Sequence, residues 1–286
     1  MKAFPRVLLK LALSCLIGSV SVFCSAQCSF QTLTIPNSQS SSAIGINDQG
    51  AIVGGFIDTS GGSHGFLLFN GKFAKFRFPG SNSTEANDIN NHSVIVGDFL
   101  TTSQHGFMVL NGKFHSITAP GATATRALGI NNFGTIVGEA DDASGQNGFV
   151  LRGSKFSKIR FPQSSRTMAF GINDHGTIVG TYALANGFNQ GFIFQNGAFR
   201  TLDFPGADDT SLFRINNEGE IVGVYDMHGD VHGFSFSRGK FTTIDDPHAV
   251  SSTVIFGLNN HDKIVGSFIG IPRTNKAFTA NCSRVF

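Results

Sequence analysis

Residues 45–56 read GINDQGAIVGGF, a tight polar turn (Asn47-Asp48-Gln49-Gly50) running straight into an apolar strand pattern. The phrase returns down the chain. Its asparagine recurs at Asn47, Asn90, Asn131, Asn173, Asn216 and Asn259, and the following Ile-Val-Gly ends at Gly54, Gly97, Gly138, Gly180, Gly223 and Gly266. The intervals between the asparagines are 43, 41, 42, 43 and 43 residues. A fixed period of this size marks one supersecondary unit copied along the chain, because a single unit cannot bury its own apolar faces and needs neighbours.

Each copy holds four short strand patterns. In the first these are SSAIGI (41–46), AIVGGFI (51–57), HGFLLF (64–69) and KFAKFRF (72–78), rich in β-branched and aromatic residues and bounded by turn residues. The third and fourth are joined by Asn70-Gly71, the dipeptide that best tolerates the positive φ angles of a type I′ hairpin. Asn111-Gly112 and Asn196-Gly197 repeat it, while Arg152-Gly153 and Arg238-Gly239 keep its glycine. No segment shows sustained helical periodicity. Six antiparallel four-stranded units predict an all-β fold, a six-bladed β-propeller.

The ends of the chain test that reading. The sixth copy has patterns at 253–258, 263–268 and 276–282 and lacks a fourth, whereas CSFQTLTIP (28–36) matches GKFAKFRFP (71–79) in spacing and is an orphan fourth strand. The N-terminal strand is therefore expected to complete the last blade and close the ring. Aligned on the first copy, Cys282 takes the place of Asn70 and Cys28 that of Gly71, adjacent turn positions. A disulfide is expected where the other blades have a covalent hairpin.

Residues 1–26 carry Lys2, Arg6 and Lys10, then an apolar run and CSA before Gln27, the layout of a cleavable secretory signal. One propeller domain is expected over 27–286, secreted to the periplasm or the exterior, where a disulfide is stable. Removing the leader takes the formal net charge from +2 to about −1, which disfavours nucleic acid and anionic membrane as partners. After cleavage no membrane insertion is expected, and the protein is read as a monomer.

The string GIND.G.IVG…HGF…GKF…FPG, with His64-Gly65-Phe66, His105-Gly106-Phe107 and His232-Gly233-Phe234 at its middle, resembles the HAF-type extracellular repeat of exported bacterial proteins. Asn147, Gln190 and Lys276 replace the histidine in the other copies. The resemblance covers residues 28–286 and implies an extracellular repeat protein; it brings no catalytic residue set with it.

Function must then come from sites. The loops between second and third strands vary in length and chemistry, from TTSQ (101–104) to ALANGFNQ (183–190), and all open on one face. A ligand-recognition surface for an extracellular glycan or protein is expected there. On the innermost strands, two residues before the repeated asparagine, four copies have glycine but the second has Asp88 and the fifth Arg214. Blades two and five are opposed, so these charges could meet across the axial channel, with Glu85, Arg126, Arg166 and Asp209 nearer its mouth. These six are the candidate ligand-binding residues; the competing reading makes them rim charges of little energetic weight. GGSHG (61–65) matches a nucleophile-elbow pattern but lies between two strands. No metal-ligand or phosphate-cradling motif is present in the sequence, and no cofactor or metal is expected. The sequence thus reads as a non-enzymatic binding module. The alternative is a hydrolase or lyase acting on extracellular polysaccharide through channel-mouth charges.

Overall fold

The computed structural model of the chain describes residues 28–185 and 187–282; the expected leader lies outside them. The described residues form 24 strands in six four-stranded antiparallel sheets, arranged as the blades of a propeller. Blade one runs Ser38–Ile46, Ile52–Asp58, Ser63–Phe69 and Lys72–Phe76, and blades two to five repeat it. Blade six takes Thr253–Leu258, Lys263–Gly270 and Thr274–Cys282 from the end of the chain and Cys28–Thr32 from its beginning. Cys28 faces Cys282 in the register of that last pair and is joined to it by a disulfide. Ring closure and bridge both match the sequence expectation.

The recurring asparagine explains why the opening phrase is needed six times. Its Oδ1 accepts from the backbone of its own turn, as in Ala51 N–H to Asn47 (2.9 Å) and Thr135 N–H to Asn131 (3.0 Å). Its Nδ2 donates to the carbonyl of the equivalent asparagine in the next blade. Asn47 reaches Asn90, Asn90 reaches Asn131, Asn131 reaches Asn173, Asn173 reaches Asn216, Asn216 reaches Asn259, and Asn259 returns to Asn47. The residue after each asparagine builds a second closed belt, in which the backbone N–H of Asp48, Asn91, Asn132, Asp174, Asn217 and Asn260 each donates to the side chain of the next. Burial raises the Asp48 carboxyl, but bonds from Asn260 and Asn91 outweigh it and hold the group below its usual range. These belts tie the ring at the end of the channel away from the variable loops.

The glycine of Ile-Val-Gly is a packing requirement. A Cβ at Gly97 would lie 2.0 Å from the Glu85 carbonyl oxygen and 2.8 Å from the Phe107 ring. Of the five equivalent glycines in the other blades, all but Gly223 face the same two obstacles, and the phenylalanines of HGF, such as Phe66, Phe107 and Phe234, are fully buried. The apolar clusters lie between blades rather than within them. One joins Val94 and Val96 of blade two to Ala127, Ile130, Ile136 and Phe149 of blade three. Burying each such phenylalanine contributes about 2–3 kcal/mol.

One hairpin departs from the sequence reading. Arg152 pairs with Lys155 in blade three, so Gly153-Ser154 forms the turn and Gly153 (φ 59°) stands where Asn70 (φ 50°) stands in blade one. Arg238-Gly239 does keep both positive φ angles of the Asn-Gly pair.

Candidate functional site in the channel mouth

Every innermost strand carries a one-residue irregularity before its last two positions, for example between Ala86 and Asp88. The extra residue is Ile44, Asn87, Leu128, Phe170, Phe213 or Phe256, and all six line one cavity of about 630 Å³. A bulge re-aims its side chain; here it makes an apolar collar interrupted only by Asn87. Ile57, Ser63, Gln104 and Asn275, beside the variable loops, line the same cavity, so it opens on the variable face.

The register puts charge on one wall. Glu85 stands opposite Asp98, and Arg126 opposite Glu139. Arg126 Nη1 donates to Glu139 Oε1 at 2.5 Å, and Gln146 donates to the other oxygen at 2.9 Å. Asp98 accepts from Asn87 Nδ2 at 2.7 Å and from Gln104. Burial raises the Asp98 and Glu139 carboxyls, and in both cases Arg126 pulls the other way. Burial also opposes the charge of Arg126, yet Glu139 outweighs it and raises the guanidinium further.

Glu85 differs from its neighbours. It has no hydrogen-bonding or ion-pairing partner among the described residues, and it lines the cavity. It occupies space left by Gly55, whose Cβ would come within 2.8 Å of Glu85 Oε1. Its side chain meets solvent, but that solvent is the confined volume of the mouth. Desolvation by the walls, with the like charge of Asp98 and against the pull of Arg126, pushes its carboxyl up to about 7.

Asp88 and Arg214 do meet across the axis, with Arg214 Nε 3.5 Å from Asp88 Oδ2. Their setting is structural. Arg214 Nη1 donates to the carbonyls of Phe170 (2.7 Å) and Phe213 (3.0 Å), and Nη2 to those of Asn87 and Leu128 (2.9 Å). Asp88 accepts from the backbone of Ile89 and Ile130. The terminal nitrogens are committed to four blades, and the buried Nε, which makes no hydrogen bond among the described residues, faces Asp88. Arg214 also lines the small cavity of about 70 Å³ inside the asparagine belts, so it bolts the channel between its two ends. Arg166 and Asp209 are not in the lining of the mouth: Arg166 donates to Asn189 Oδ1 at 2.7 Å, and Asp209 accepts from the Asn189 backbone.

Of the six sequence candidates, Glu85 and Arg126 share the wall, Asp88 and Arg214 form the bolt beneath it, and Arg166 and Asp209 stand apart. Asp98, Glu139 and Asn87 were missed. A signal existed: the residue after Ile-Val-Gly is Gly55, Asp98, Glu139, Thr181, Val224 or Ser267, acidic only in blades two and three. The recurring histidines serve packing, with His64 on Asp58 (2.8 Å) and stacked over Phe56, and His105 on Ser103 (2.9 Å). Among the described residues no three His, Cys, Asp or Glu side chains are grouped to hold a metal ion, and no helix is long and apolar enough to cross a membrane.

No protein-family model matches the chain, and no curated protein matches it. Solved structures do. A gluconolactonase of Xanthomonas campestris is similar over 93% of this chain and 99% of its own, at 12% identity and a TM-score of 0.54. The Aleuria aurantia lectin, solved with Fucα1-6GlcNAc, is similar over 87% and 93%, at 10% identity and 0.52. The propeller domain of a Pyrococcus furiosus protease, described as having an open velcro topology, is similar over 86% and 80%, at 12% identity and 0.53. The fold class these matches define is the six-bladed propeller. They also overturn the expectation that the protein is not an enzyme: the fold hosts a gluconolactonase as well as a lectin. The missing catalytic motif was no ground for that exclusion, because the acids converge only through strand register.

Proposed function

We propose that this chain is an exported propeller of the HAF-repeat type that takes a carbohydrate-class substrate in its channel mouth and hydrolyses it with Glu85 moving the proton. The observation that carries the reading is Glu85 itself, an unpartnered carboxyl tuned to about 7 in the wall of a 630 Å³ cavity. Near neutral pH such a group exists in both protonation states, so it can give a proton to a leaving oxygen or take one from water. Arg126, anchored by Glu139, is placed to stabilise negative charge that develops on the substrate. The doubly hydrogen-bonded Asp98 is a fixed acceptor for hydroxyls. The Phe170, Phe213 and Phe256 collar offers an apolar surface to the C–H face of a sugar ring, a division of labour usual in small-molecule pockets. The fold's occurrence in a lectin solved with a sugar and in a gluconolactonase supports this class of ligand. The disulfide between the chain ends is consistent with an exported location.

The test is a panel of glycans and sugar lactones offered to the mature protein, with binding and turnover read separately for the wild type and Glu85→Gln. Turnover by the wild type that falls at least about a hundredfold in Glu85→Gln supports the assignment. Equal turnover by both proteins refutes it.

A further inference from the structure

The wall of the mouth is electrically unbalanced. Arg126 is bonded to Glu139, and Arg214 is paired with Asp88 and bonded to the backbone carbonyls of four collar residues. Among the described residues no other lysine or arginine lines the cavity, so Arg126 is a single cation shared by Glu139, Glu85 and Asp98. Asn87 and Gln104 add donors to Asp98 but no charge. The rest of the lining is neutral: Ser40, Ser42 and Ser83 on the acid side, and the collar with Met168 opposite. Two carboxyls held on one wall at low local polarity resist ionising together unless a counter-charge arrives, and the Glu85 carboxyl, lying over Gly55, lines the cavity where such a charge would come. The cavity is also blind, since Arg214 closes its floor, so a ligand enters and leaves by the mouth alone.

We infer that the ligand of this mouth carries a cationic nitrogen, the amine of an amino sugar or of an amine-bearing chain end, seated between Glu85 and Asp98 with the ring's apolar face on the phenylalanine collar. This rests on the assignment of the mouth as a carbohydrate site. The geometry accounts for acids confined to blades two and three, where a site for acidic sugars would need free cations. An ammonium brought against the pair favours the ionised form of both carboxyls and gains its own attraction. At the effective polarity of a protein surface, attraction of this kind amounts to a preference of about tenfold or more over a neutral isostere.

The experiment is calorimetric or NMR-detected titration of the mature protein at pH 7 with glucosamine, N-acetylglucosamine and glucuronate. The expected result is that glucosamine binds about tenfold more tightly than N-acetylglucosamine, with glucuronate weakest. Asp98→Asn, checked for an unchanged thermal transition, is expected to reduce that preference. Tighter binding of N-acetylglucosamine or glucuronate overturns the amine inference and leaves the carbohydrate site standing. Absence of saturable binding by all three removes the carbohydrate site and the inference with it.

Discussion

Replacing Asn131 by alanine tests the belt that closes the ring. Asn131 is 6% exposed, and its side chain makes three bonds: Nδ2 to the Asn173 carbonyl of the next blade (3.2 Å), and Oδ1 from the N–H groups of Phe133 (3.1 Å) and Thr135 (3.0 Å). Alanine strands the buried Thr135 N–H, whereas the Asn173 carbonyl keeps the N–H of Gly176 (3.0 Å) and the Phe133 N–H, at an exposed turn, regains water. Taking about 1–1.5 kcal/mol for the stranded group and about 0.5 kcal/mol for each of the other two bonds gives a loss of about 2 kcal/mol. For a domain of this size that lowers Tm by about 4–8 °C. Differential scanning calorimetry reads it directly. Asn131→Asp provides the control, because it keeps the Oδ1 acceptor but at pH 8 turns a carboxylate toward the Asn173 carbonyl. It should be more destabilising at pH 8 than at pH 4, where a protonated carboxyl can again donate. A fall of less than about 2 °C for alanine, or an aspartate variant as stable as wild type at pH 8, would show that the belt is incidental to closure.

Three further outcomes follow from the same contacts. Non-reducing mass spectrometry should find Cys28 crosslinked to Cys282, and Cys28→Ser should lose up to about 5 kcal/mol in the chain-entropy view, less any strain in the bridge. Arg214→Ala removes the guanidinium from Asp88 and from four carbonyls and should destabilise by about 3–5 kcal/mol; combining it with Asp88→Asn should cost less than the two single losses together. A double variant that loses the full sum would mean that the two groups are not coupled. Stability should also depend on Glu85. Its folded-state carboxyl is raised from 4.5 to about 7, so its contribution is fully present below pH 4.5 and is lost as pH rises through 7. Glu85→Gln should therefore raise Tm relative to wild type at pH 8 and leave it unchanged at pH 4.

The ring was legible in the sequence because its determinants are local and repeated. Period, strand alternation, turn glycines and the displaced fourth strand are all read within a few residues of each other, and the Cys28 and Cys282 positions follow from alignment to one blade. The acid wall was half hidden for a geometric reason. Glu85 and Arg126 sit on innermost strands where a channel-facing charge is expected, but Asp98 and Glu139 lie on second strands next to the Ile-Val-Gly core pattern. They reach the mouth because the hairpin register pairs residues 13 apart, 85 with 98 and 126 with 139. The bulge that turns Asn87 into the cavity likewise has no residue signature of its own. The opposed Asp88 and Arg214 were visible as a pair, but only their surroundings reveal a bolt: sequence cannot show that four carbonyls already hold the guanidinium.

The most direct measurement of the functional account is a carbon-13 NMR titration of the glutamate carboxyls, with Glu85 assigned by its loss in Glu85→Gln. The expected midpoint for Glu85 is about 7 in the free protein, displaced once the mouth is saturated with a bound sugar. An ordinary carboxylate midpoint, unmoved by a sugar that binds, would contradict it.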